Sequence, residues 1–433
     1  VSDQSVSVST TDDDVAGFTI TETESGTEVN ESSTTDTFKV VLNAQPTSDV
    51  QISVTSADTG EVTASPATLT FTAANWDTVQ TVTVTGINDS VDDESQITAV
   101  TLSIVDANSD DDFDNVADQI VSVTTTDNDT AGFTVIQSGG STGVNEDGET
   151  DSFTVVLNSE PISDVVIAIS SDDTDESTVS PGSLTFTSAN WDTPQSVIVT
   201  GADDDLADGT QNSTVTISVV DLSSDDSFDS LADQSFTVTT ADNDIAGFTI
   251  TETNGSTEVD ESGDTDIFTV VLDAQPANDV VLSIISSDTG EATVTSTLTF
   301  TSTNWDTAQT VTVTGVDDSL LDGSQSSIVT ISVVDQNTSD EFDAVADQTV
   351  SVSTTDDDVA GFTIVELDGS TEVDESGDTD TFTVVLDAQP DSNVVVAISV
   401  SDSSESSVNS PLTFTPANWD TPQVVTITGV DDD

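Results

Sequence analysis

Hydrophobic and polar residues alternate along most of the chain, in short runs bounded by Gly, Pro, Asn and Asp. In the segment QTVTVTG, for example, Val82 and Val84 alternate with Thr81, Thr83 and Thr85. A period of two gives each short segment one buried face, as expected of β-strands. No segment shows a helical period over the length of an ordinary helix. The pattern therefore predicts an all-β protein.

The alternating pattern is itself repeated along the chain of 433 residues. The motif AGFT recurs with a period of 114–115 residues and begins at Ala16, Ala131, Ala246 and Ala360. A period of this length matches an independently folding domain rather than a short solenoid repeat. Residues 1–14 match the end of a repeat, and residues 429–433 match the middle of one. We therefore expect the chain to be an excerpt from a longer array.

Within the first full repeat the alternation predicts seven strands, A to G, at 17–22, 36–42, 49–55, 67–71, 80–86, 97–105 and 119–125. Seven short strands with one buried face each are typical of an immunoglobulin-like β-sandwich. The predicted fold is a tandem array of immunoglobulin-like, seven-stranded β-sandwich domains, arranged as beads on a string. The predicted domains are the terminal strand of a preceding repeat (1–14), three full sandwiches (15–129, 130–244 and 245–358) and an incomplete sandwich (359–433).

The charge of the chain excludes several classes of partner. The sequence contains 84 Asp and Glu residues but a single basic residue, Lys39, and its formal net charge is −83. Nucleic acids and anionic membranes would be repelled by such a chain. No hydrophobic run approaches transmembrane length, so we expect no direct membrane insertion. His and Cys are absent, which leaves oxygen donors only and favours calcium, magnesium or manganese as a bound metal.

The acidic residues are concentrated in particular loops. If each strand crosses the sandwich once, the A–B, C–D and E–F loops share one end with the exit of strand G. In the first full repeat these segments carry Glu28, Glu31, Asp58, Glu61, Asp89, Asp92, Asp93, Glu94, Asp127 and Asp129. Two unit charges 4 Å apart repel by about 1 kcal/mol in water and about 4 kcal/mol at a surface-like dielectric. Such a cluster requires cations or protonation in order to close.

Calcium suits the cluster better than magnesium, because it accepts six to eight oxygens at flexible geometry. We expect roughly two calcium ions per junction between repeats. The competing interpretation is a solvated acidic surface of the kind that proteins of salt-loving organisms carry. Against it, the acids recur in register in the loops, while the strand faces carry Thr and Ser.

The stretch TTDDDVAGFTI, at 10–20 and again at 354–364, resembles the Calx-beta family of calcium-binding β-sandwiches. Family members close strand G with aspartates and then open the next domain with a short hydrophobic strand. The glutamate before strand B, in VNES (29–32) and VDES (259–262), is also similar, as is the acidic loop after VTVTG. The Gly–Thr–Ala and Asp–Tyr signals that the family has after strand C are missing.

The resemblance implies a set of calcium ligands in each repeat. In the first three repeats they are Glu31, Asp89, Asp92, Asp93, Asp127 and Asp129; Glu146, Asp203, Asp204, Asp208, Asp242 and Asp244; and Glu261, Asp317, Asp318, Asp322, Asp356 and Asp358. In the fourth, incomplete repeat they are Glu375, Asp431, Asp432 and Asp433. The departure after strand C leaves six further acids as doubtful ligands: Asp58, Glu61, Asp175, Glu176, Asp288 and Glu291. The acidic F–G loops (110–119, 225–234 and 340–348) either add ligands from across a junction or are solvated.

The leading functional hypothesis is a calcium-rigidified extracellular spacer or fibre segment of a bacterial cell-surface adhesin. Its partners would be calcium ions and the neighbouring repeats of the same chain, and its location secreted or attached to the cell surface. One alternative is a self-assembling filament or sheath subunit, in which copies of the chain pair laterally. Another is a glycan- or protein-binding module that uses the loops around Trp76, Trp191, Trp305 and Trp419.

The NWDT loop that contains each Trp also fits a structural role, in which Asn and Asp form a turn and Trp seals the core. An enzyme is not expected. The chain has no His or Cys, and its Ser and Thr residues lie on strand faces without a neighbouring base.

Overall fold

The computed structural model describes residues 2–23 and 26–431, except for the side chain of Asn337. It confirms the predicted fold class, a tandem array of immunoglobulin-like β-sandwiches. The chain divides into two compact units. Unit 1 contains the described residues up to 203 together with 212–240, and unit 2 contains 204–211 and the described residues from 241 onwards. The individual domain boundaries at residues 14, 129, 244 and 358 stay a prediction.

Nine strands form the described part of the first repeat: β1 (Phe18–Glu22), β2 (Thr27–Asn30), β3 (Thr35–Leu42), β4 (Val50–Ser56), β5 (Val62–Ser65), β6 (Thr68–Phe71), β7 (Gln80–Gly86), β8 (Gln96–Ile104) and β9 (Gln119–Thr126). The second repeat contains β10 (Phe133–Gln137), β11 (Thr142–Asn145), β12 (Thr150–Leu157), β13 (Val165–Ser171), β14 (Ser177–Ser180), β15 (Ser183–Phe186), β16 (Gln195–Gly201), β17 (Gln211–Val219) and β18 (Gln234–Ala241).

The third repeat contains β19 (Phe248–Glu252), β20 (Thr257–Asp260), β21 (Thr265–Leu272), β22 (Val280–Ser286), β23 (Ala292–Val294), β24 (Thr297–Phe300), β25 (Gln309–Gly315), β26 (Gln325–Val333) and β27 (Gln348–Thr355). The described part of the fourth contains β28 (Phe362–Glu366), β29 (Thr379–Leu386), β30 (Val394–Val396), β31 (Ser406–Val408), β32 (Leu412–Phe414) and β33 (Gln423–Gly429). Short 3-10 helices lie at Asp106–Asn108, Asp111–Phe113, Ser138–Gly140, Asp221–Ser223, Asp226–Phe228, Thr253–Gly255, Asp335–Asn337 and Asp340–Phe342.

Each full repeat packs a four-stranded sheet against a five-stranded sheet. In the first repeat the strand orders are β1-β3-β7-β5 and β2-β9-β8-β4-β6, and the second and third repeats follow the same orders. The predicted strands A to G correspond to β1, β3, β4, β6, β7, β8 and β9. The structure adds two four-residue strands, β2 and β5, which are too short for an alternating pattern to reveal. Strand β2 pairs parallel with β9, and the remaining pairs in the repeat are antiparallel.

The core follows the predicted alternation. Phe38 and Val40 of β3 are fully buried, and Phe38 is the register partner of the buried Val82 on β7. Burying one such large apolar side chain stabilises the fold by about 1.5–3 kcal/mol. The half-buried Trp76 packs against this core, and the side chain of Asn75 accepts hydrogen bonds from the backbone N and the Oγ1 of Thr72 at 2.5 and 2.9 Å. These contacts support the structural role of the NWDT loop.

A glycine at the end of β7 lets another segment approach closely. A Cβ atom on Gly86 would lie 2.1 Å from the backbone oxygen of Asn30, the last residue of β2. The backbone N of Gly86 also donates to the oxygen of Thr34 at 3.1 Å. The same close approach recurs at Gly201, Gly315 and Gly429. Only glycine fits here, and it brings the A–B loop against the strand that leads into the E–F loop.

We expect the substitution Gly86→Ala to destabilise the first sandwich by about 1–3 kcal/mol, because a backbone atom has to move to admit the methyl group. Thermal unfolding followed by circular dichroism measures the effect. Gly26→Ala is the matched control, because a Cβ at Gly26 meets no atom within 4 Å. Equal melting temperatures for the two variants would show that the close approach is not a constraint.

Candidate metal centre

The first candidate site is built on the pairing between β2 and β9. This parallel pairing places Asn30 beside Thr126, and the backbone N of Glu31 donates to the oxygen of Thr126 at 3.2 Å. The next residue, Glu31, therefore lies at the point where β9 leads into the linker of residues 127–129. Its side chain is only 1% exposed, which is unusual for a carboxylate without a basic partner.

Carboxylates from four segments meet around Glu31. Oxygens of Glu31, Asp127 and Asp129 lie within 4.8 Å of one another, and so do oxygens of Glu31, Glu61 and Asp93. The backbone oxygen of Glu61 accepts from the N of Ile87 at 2.9 Å, which holds the C–D loop against the E–F loop. The A–B, C–D and E–F loops and the exit of strand G therefore share one end of the sandwich, as the sequence predicts. Glu61, a doubtful ligand in the sequence, belongs to the cluster.

Burial and mutual repulsion both disfavour the ionised carboxylates. Burial, followed by the charges of Asp127, Asp89 and Glu61, raises the pKa of Glu31 to about 7, against a hydrogen bond from the Asn128 backbone that lowers it. Burial and neighbouring carboxylates also raise the pKa values of Glu61, Asp93 and Asp129. The sequence holds no Arg or His and only one Lys. Neutral pH thus leaves this cluster with excess negative charge that no side chain balances.

Several oxygens of the cluster lack hydrogen-bond donors. Within the described part of the chain, Glu61 Oε2, Asp93 Oδ1 and Asp129 Oδ2 are buried and accept no hydrogen bond. Leaving a buried polar group unpaired costs about 1–3 kcal/mol, and more when it is charged. A cation bound by oxygens would remove both the repulsion and this cost. The donor set, made only of oxygens, fits calcium.

Asp127 organises the loop around the cluster. Its Oδ2 accepts from the backbone N of Asp93 and of Glu94, both at 3.0 Å, and its Oδ1 accepts from the N of Asp129 at 2.7 Å. Asp242 makes the equivalent three bonds, and Asp356 accepts from Gly323 and Asp358. The first linker aspartate therefore fixes the E–F loop to the linker in all three full repeats.

Two predicted ligands of the first repeat, Asp89 and Asp92, and the doubtful ligand Asp58 lie outside the two tight groups. The Oδ1 of exposed Asp89 accepts from Val91 N at 2.8 Å, and its charge helps to raise the pKa of Glu31. The Oδ2 of Asp92 accepts from Ala131 N at 2.6 Å. The Oδ1 of exposed Asp58 accepts from Gly60 N at 2.8 Å, and its charge helps to raise the pKa of Glu61. Asp89 and Asp58 thus surround the cluster, whereas Asp92 contacts the next repeat.

The third repeat contains an equivalent site. Oxygens of Glu261, Asp318 and Asp358 lie within 4.8 Å of one another. Glu261 is 1% exposed, and its Oε2 accepts no hydrogen bond from any described residue. Burial, followed by the charges of Asp318, Asp356, Glu291 and Asp322, raises the pKa of Glu261 to about 7.

Further acids lie around Glu261. Burial and the charges of neighbouring acids raise the pKa values of Glu291 and Asp358. Glu291 Oε2, Asp322 Oδ1 and Asp358 Oδ2 are buried without a hydrogen-bond donor in the described structure. Asp317 is exposed, and Asp288 accepts from Gly290 N at 2.9 Å in the C–D turn.

The predicted ligands of the second repeat are divided between the two units. In unit 1, Glu146 is 2% exposed and Glu176 is 9% exposed, whereas Asp175 and Asp203 are exposed. In unit 2, the backbone N atoms of Asp208 and Asp244 donate to Asp242 at 3.1 and 2.6 Å. The Oδ1 of Asp204 accepts from Leu206 N at 2.7 Å. Burial, followed by the charges of Asp204, Asp242 and Glu341, raises the pKa of Asp208.

The fourth repeat does not reproduce the site. Glu375 and Asp431 are exposed, and Asp432 and Asp433 lie outside the described residues. Residues 371–374, which correspond to β2, form no strand.

The F–G loops have a structural role that the sequence did not reveal. Asp110 is buried, and its Oδ2 accepts from the N and Oγ1 of Thr47 and from the N of Ser48 at 2.6–2.8 Å. These hydrogen bonds, led by the Ser48 backbone, lower the pKa of Asp110 to about 2. Asp225 makes a similar bond to Ser163 N at 2.8 Å. The described carboxylate groups close enough to hold an ion contain no F–G acid.

No family model matches the chain, and no curated protein matches it in sequence. Solved structures with a similar fold include a three-domain I-band fragment of titin, with 9% identity and a TM-score of 0.26 over 79% of this chain and 97% of that one. The calcium binding domain CBD12 of CALX1.1 has 15% identity and a TM-score of 0.21 over 46% and 78%. Domains 4–9 of the surface layer protein SbsC have 15% identity and a TM-score of 0.24 over 88% and 57%. Among the described residues, no helix is long and apolar enough to cross a membrane.

The raised pKa values predict how stability depends on pH when no metal is present. The folded pKa of Glu31 and of Glu261 is about 7, against an ordinary value of 4.5. Each glutamate therefore lowers stability progressively as the pH rises from 4.5 through 7, by up to about 1.4 kcal/mol per pH unit.

In chelator, we accordingly expect the double variant Glu31→Gln, Glu261→Gln to have a higher melting temperature than the unchanged chain at about pH 8, which lies above the folded pKa of about 7. At about pH 4, below the ordinary value of 4.5, the two melting temperatures should be similar. Calorimetry at the two pH values measures this. The exposed strand residues Glu28 and Glu258 provide the charge-matched control, Glu28→Gln with Glu258→Gln. A double variant that gains no more at the higher pH than its control would contradict the interpretation.

Proposed function

We propose that the chain is a calcium-rigidified extracellular spacer or fibre segment of a bacterial cell-surface adhesin, with Ca²⁺ bound by acidic loops at the junctions between repeats. The observation that carries this proposal is Glu261. Its side chain is 1% exposed, its Oε2 has no hydrogen-bond donor among the described residues, and its carboxylate lies within 4.8 Å of Asp318 and Asp358. A buried carboxylate beside two others requires a proton or a cation, and at neutral pH a cation is the better solution.

In the first repeat, one calcium ion would be held by Glu31, Asp127 and Asp129 and a second by Glu31, Glu61 and Asp93. Calcium accepts six to eight oxygens, so backbone and water oxygens would complete each shell. Magnesium demands a near-ideal octahedron and keeps several of its waters, which suits two clusters that share a glutamate less well. The ligand role of the other predicted acids remains part of the proposal.

The placement of the ligands explains how binding would stiffen the chain. Glu31 belongs to the A–B loop, Asp93 to the E–F loop and Asp129 to the linker, so ions bound by all three would fix the linker to the sandwich that precedes it. Extracellular calcium modules bind with Kd values of about 10⁻⁴–10⁻³ M. Calcium at about 100 times its Kd would stabilise a site by about 2.7 kcal/mol.

The extracellular location and the adhesin context are part of this proposal, and the Calx-beta resemblance supports them. The filament alternative keeps the same sites and adds lateral contacts between copies. The alternative of a binding module is less favoured, because Trp76, Trp191, Trp305 and Trp419 all pack against the hydrophobic cores.

Removal of calcium is expected to lower the melting temperature and to widen the range of interdomain conformations. Calorimetry and small-angle scattering, each with calcium and with chelator, measure the two effects. If the maximum dimension and the melting temperature were the same in both conditions, calcium would not lock the junctions.

Replacing the central glutamates separates specific binding from a general loss of charge. We expect Glu31→Gln and Glu261→Gln each to weaken calcium binding at their own site at least about tenfold, since each loses a carboxylate central to its cluster. Titration calorimetry measures the affinities. Glu28→Gln and Glu258→Gln are the controls, because these residues are exposed on the same strands, β2 and β20. Equal effects for targets and controls would indicate a diffuse ion atmosphere instead of sites.

A further inference from the structure

The E–F loops pair with the following repeat by a backbone bridge. We define the E–F loops as residues 87–95, 202–210 and 316–324. The B–C loops are the segments between β12 and β13, between β21 and β22, and between β29 and β30. Among the described residues, parallel bridges join E–F and B–C loops at Val91 with Glu160, Leu206 with Gln275, and Leu320 with Gln389. The backbone N of Glu160, Gln275 and Gln389 donates to the oxygen of Ser90, Asp205 and Ser319 at 2.6–2.7 Å. None of these contacts involves the carboxylate clusters.

The second loop shows how closely this element belongs to the repeat that it contacts. Residues 204–211 belong to unit 2, whereas the strand that precedes them in sequence, which ends at Gly201, belongs to unit 1. Ala207 is 2% exposed and is part of the hydrophobic core that contains Phe248 and Leu272 of the third repeat. The loop thus contributes a side chain to the core of the next sandwich.

The residue that follows the bridged residue of each E–F loop is Asp92, Ala207 or Leu321, and the groups around it differ between the loops. At Asp92, the Oδ2 accepts from Ala131 N at 2.6 Å and the backbone oxygen accepts from Ser227 Oγ at 3.2 Å. Ala207 and Leu321 occupy the same position in the next two loops, and their backbone N atoms donate to Gln275 and Gln389 at 3.0 Å. Leu321 lies beside apolar residues of the following repeat that include Ala360, Phe362 and Leu386.

We propose that each E–F loop is a docking element by which a repeat binds the following repeat without a metal. The residue after the bridge (Asp92, Ala207 or Leu321) determines which kind of surface the loop fits. Asp92 fits a surface that offers N–H and O–H donors, whereas Ala207 and Leu321 fit apolar surfaces. An aspartate in the apolar position would bury an unpaired charge. A leucine at position 92 would leave the Ala131 N–H without its side-chain acceptor.

The test measures interdomain distances in the full chain with a chelator present, so that its outcome does not depend on the proposed calcium sites. The chain has no Cys, and spin labels can be placed at cysteines that replace exposed residues. Thr63 and Thr178 report the first junction, and Thr293 and Ser407 report the third. Pulsed electron–electron double resonance then gives the distribution of label-to-label distances across the first and the third junction.

For the otherwise unchanged chain in chelator we expect a distinct docked population at the first and third junctions, within a distribution that is broader than the one in calcium. Asp92→Leu should raise the undocked population at the first junction at least about tenfold, equivalent to about 1.4 kcal/mol, and Leu321→Asp should do the same at the third. Asp92→Asn keeps an acceptor and should keep the docked population. Ser227→Ala removes the other hydrogen bond at this junction, the one to the backbone oxygen of Asp92, and takes the place of Asp92→Leu should that variant fail the circular dichroism check of folding.

Two results would overturn the proposal: no docked population in chelator before any docking residue is changed, or an unchanged docked population in Asp92→Leu and in Ser227→Ala. Calcium binding measured on the same samples is a separate observation. A chain that docks in chelator but binds no calcium would refute the proposed function and leave the docking element intact.

Discussion

The short parallel pairing of β2 with β9 is the constraint on which the rest of the site depends. It carries the chain from one sheet to the other and places Glu31 at the exit of the last strand, among carboxylates from three other segments. The glycine at the end of β7 permits the close contact that this path requires. The same parallel pairing, between β20 and β27, accompanies the buried Glu261 of the third repeat. Burial of the glutamate thus goes together with this strand pairing.

The sequence predicted the fold class and the end of the sandwich at which the acids meet. Both followed from simple geometry, since alternation identifies strands and successive strands reverse direction. The predicted end stays correct despite the two additional strands, β2 and β5. Each of them extends a neighbouring strand into the opposite sheet, so the chain direction does not reverse an additional time. Their existence could not be predicted, since four residues show too little of a pattern and their pairing is decided by tertiary contacts.

The sequence was less informative about individual carboxylates. The resemblance implied Asp92 as a ligand and took Asp203 and Asp317 as counterparts of Asp89. The bridges show instead that Val91, Leu206 and Leu320 are equivalent, so Asp204 and Asp318 correspond to Asp89, and Ala207 and Leu321 correspond to Asp92. The apolar residue in each acidic loop, Val91, Leu206 or Leu320, could have shown this correspondence in the sequence. The role of Asp110 as an acceptor for Thr47 and Ser48 left no signal, because it depends on contact between two distant loops.

The loop of residues 204–211 has a consequence for where a stable fragment of the chain can begin. Ala207 belongs to the same hydrophobic core as Phe248 and Leu272, although β17, β18 and a linker separate it from them in the chain. A fragment that begins at residue 245 lacks this side chain, and its core has a gap where Ala207 packs. Such a fragment would be less stable than one that begins at residue 204, because the residues that complete this core begin before the predicted domain boundary.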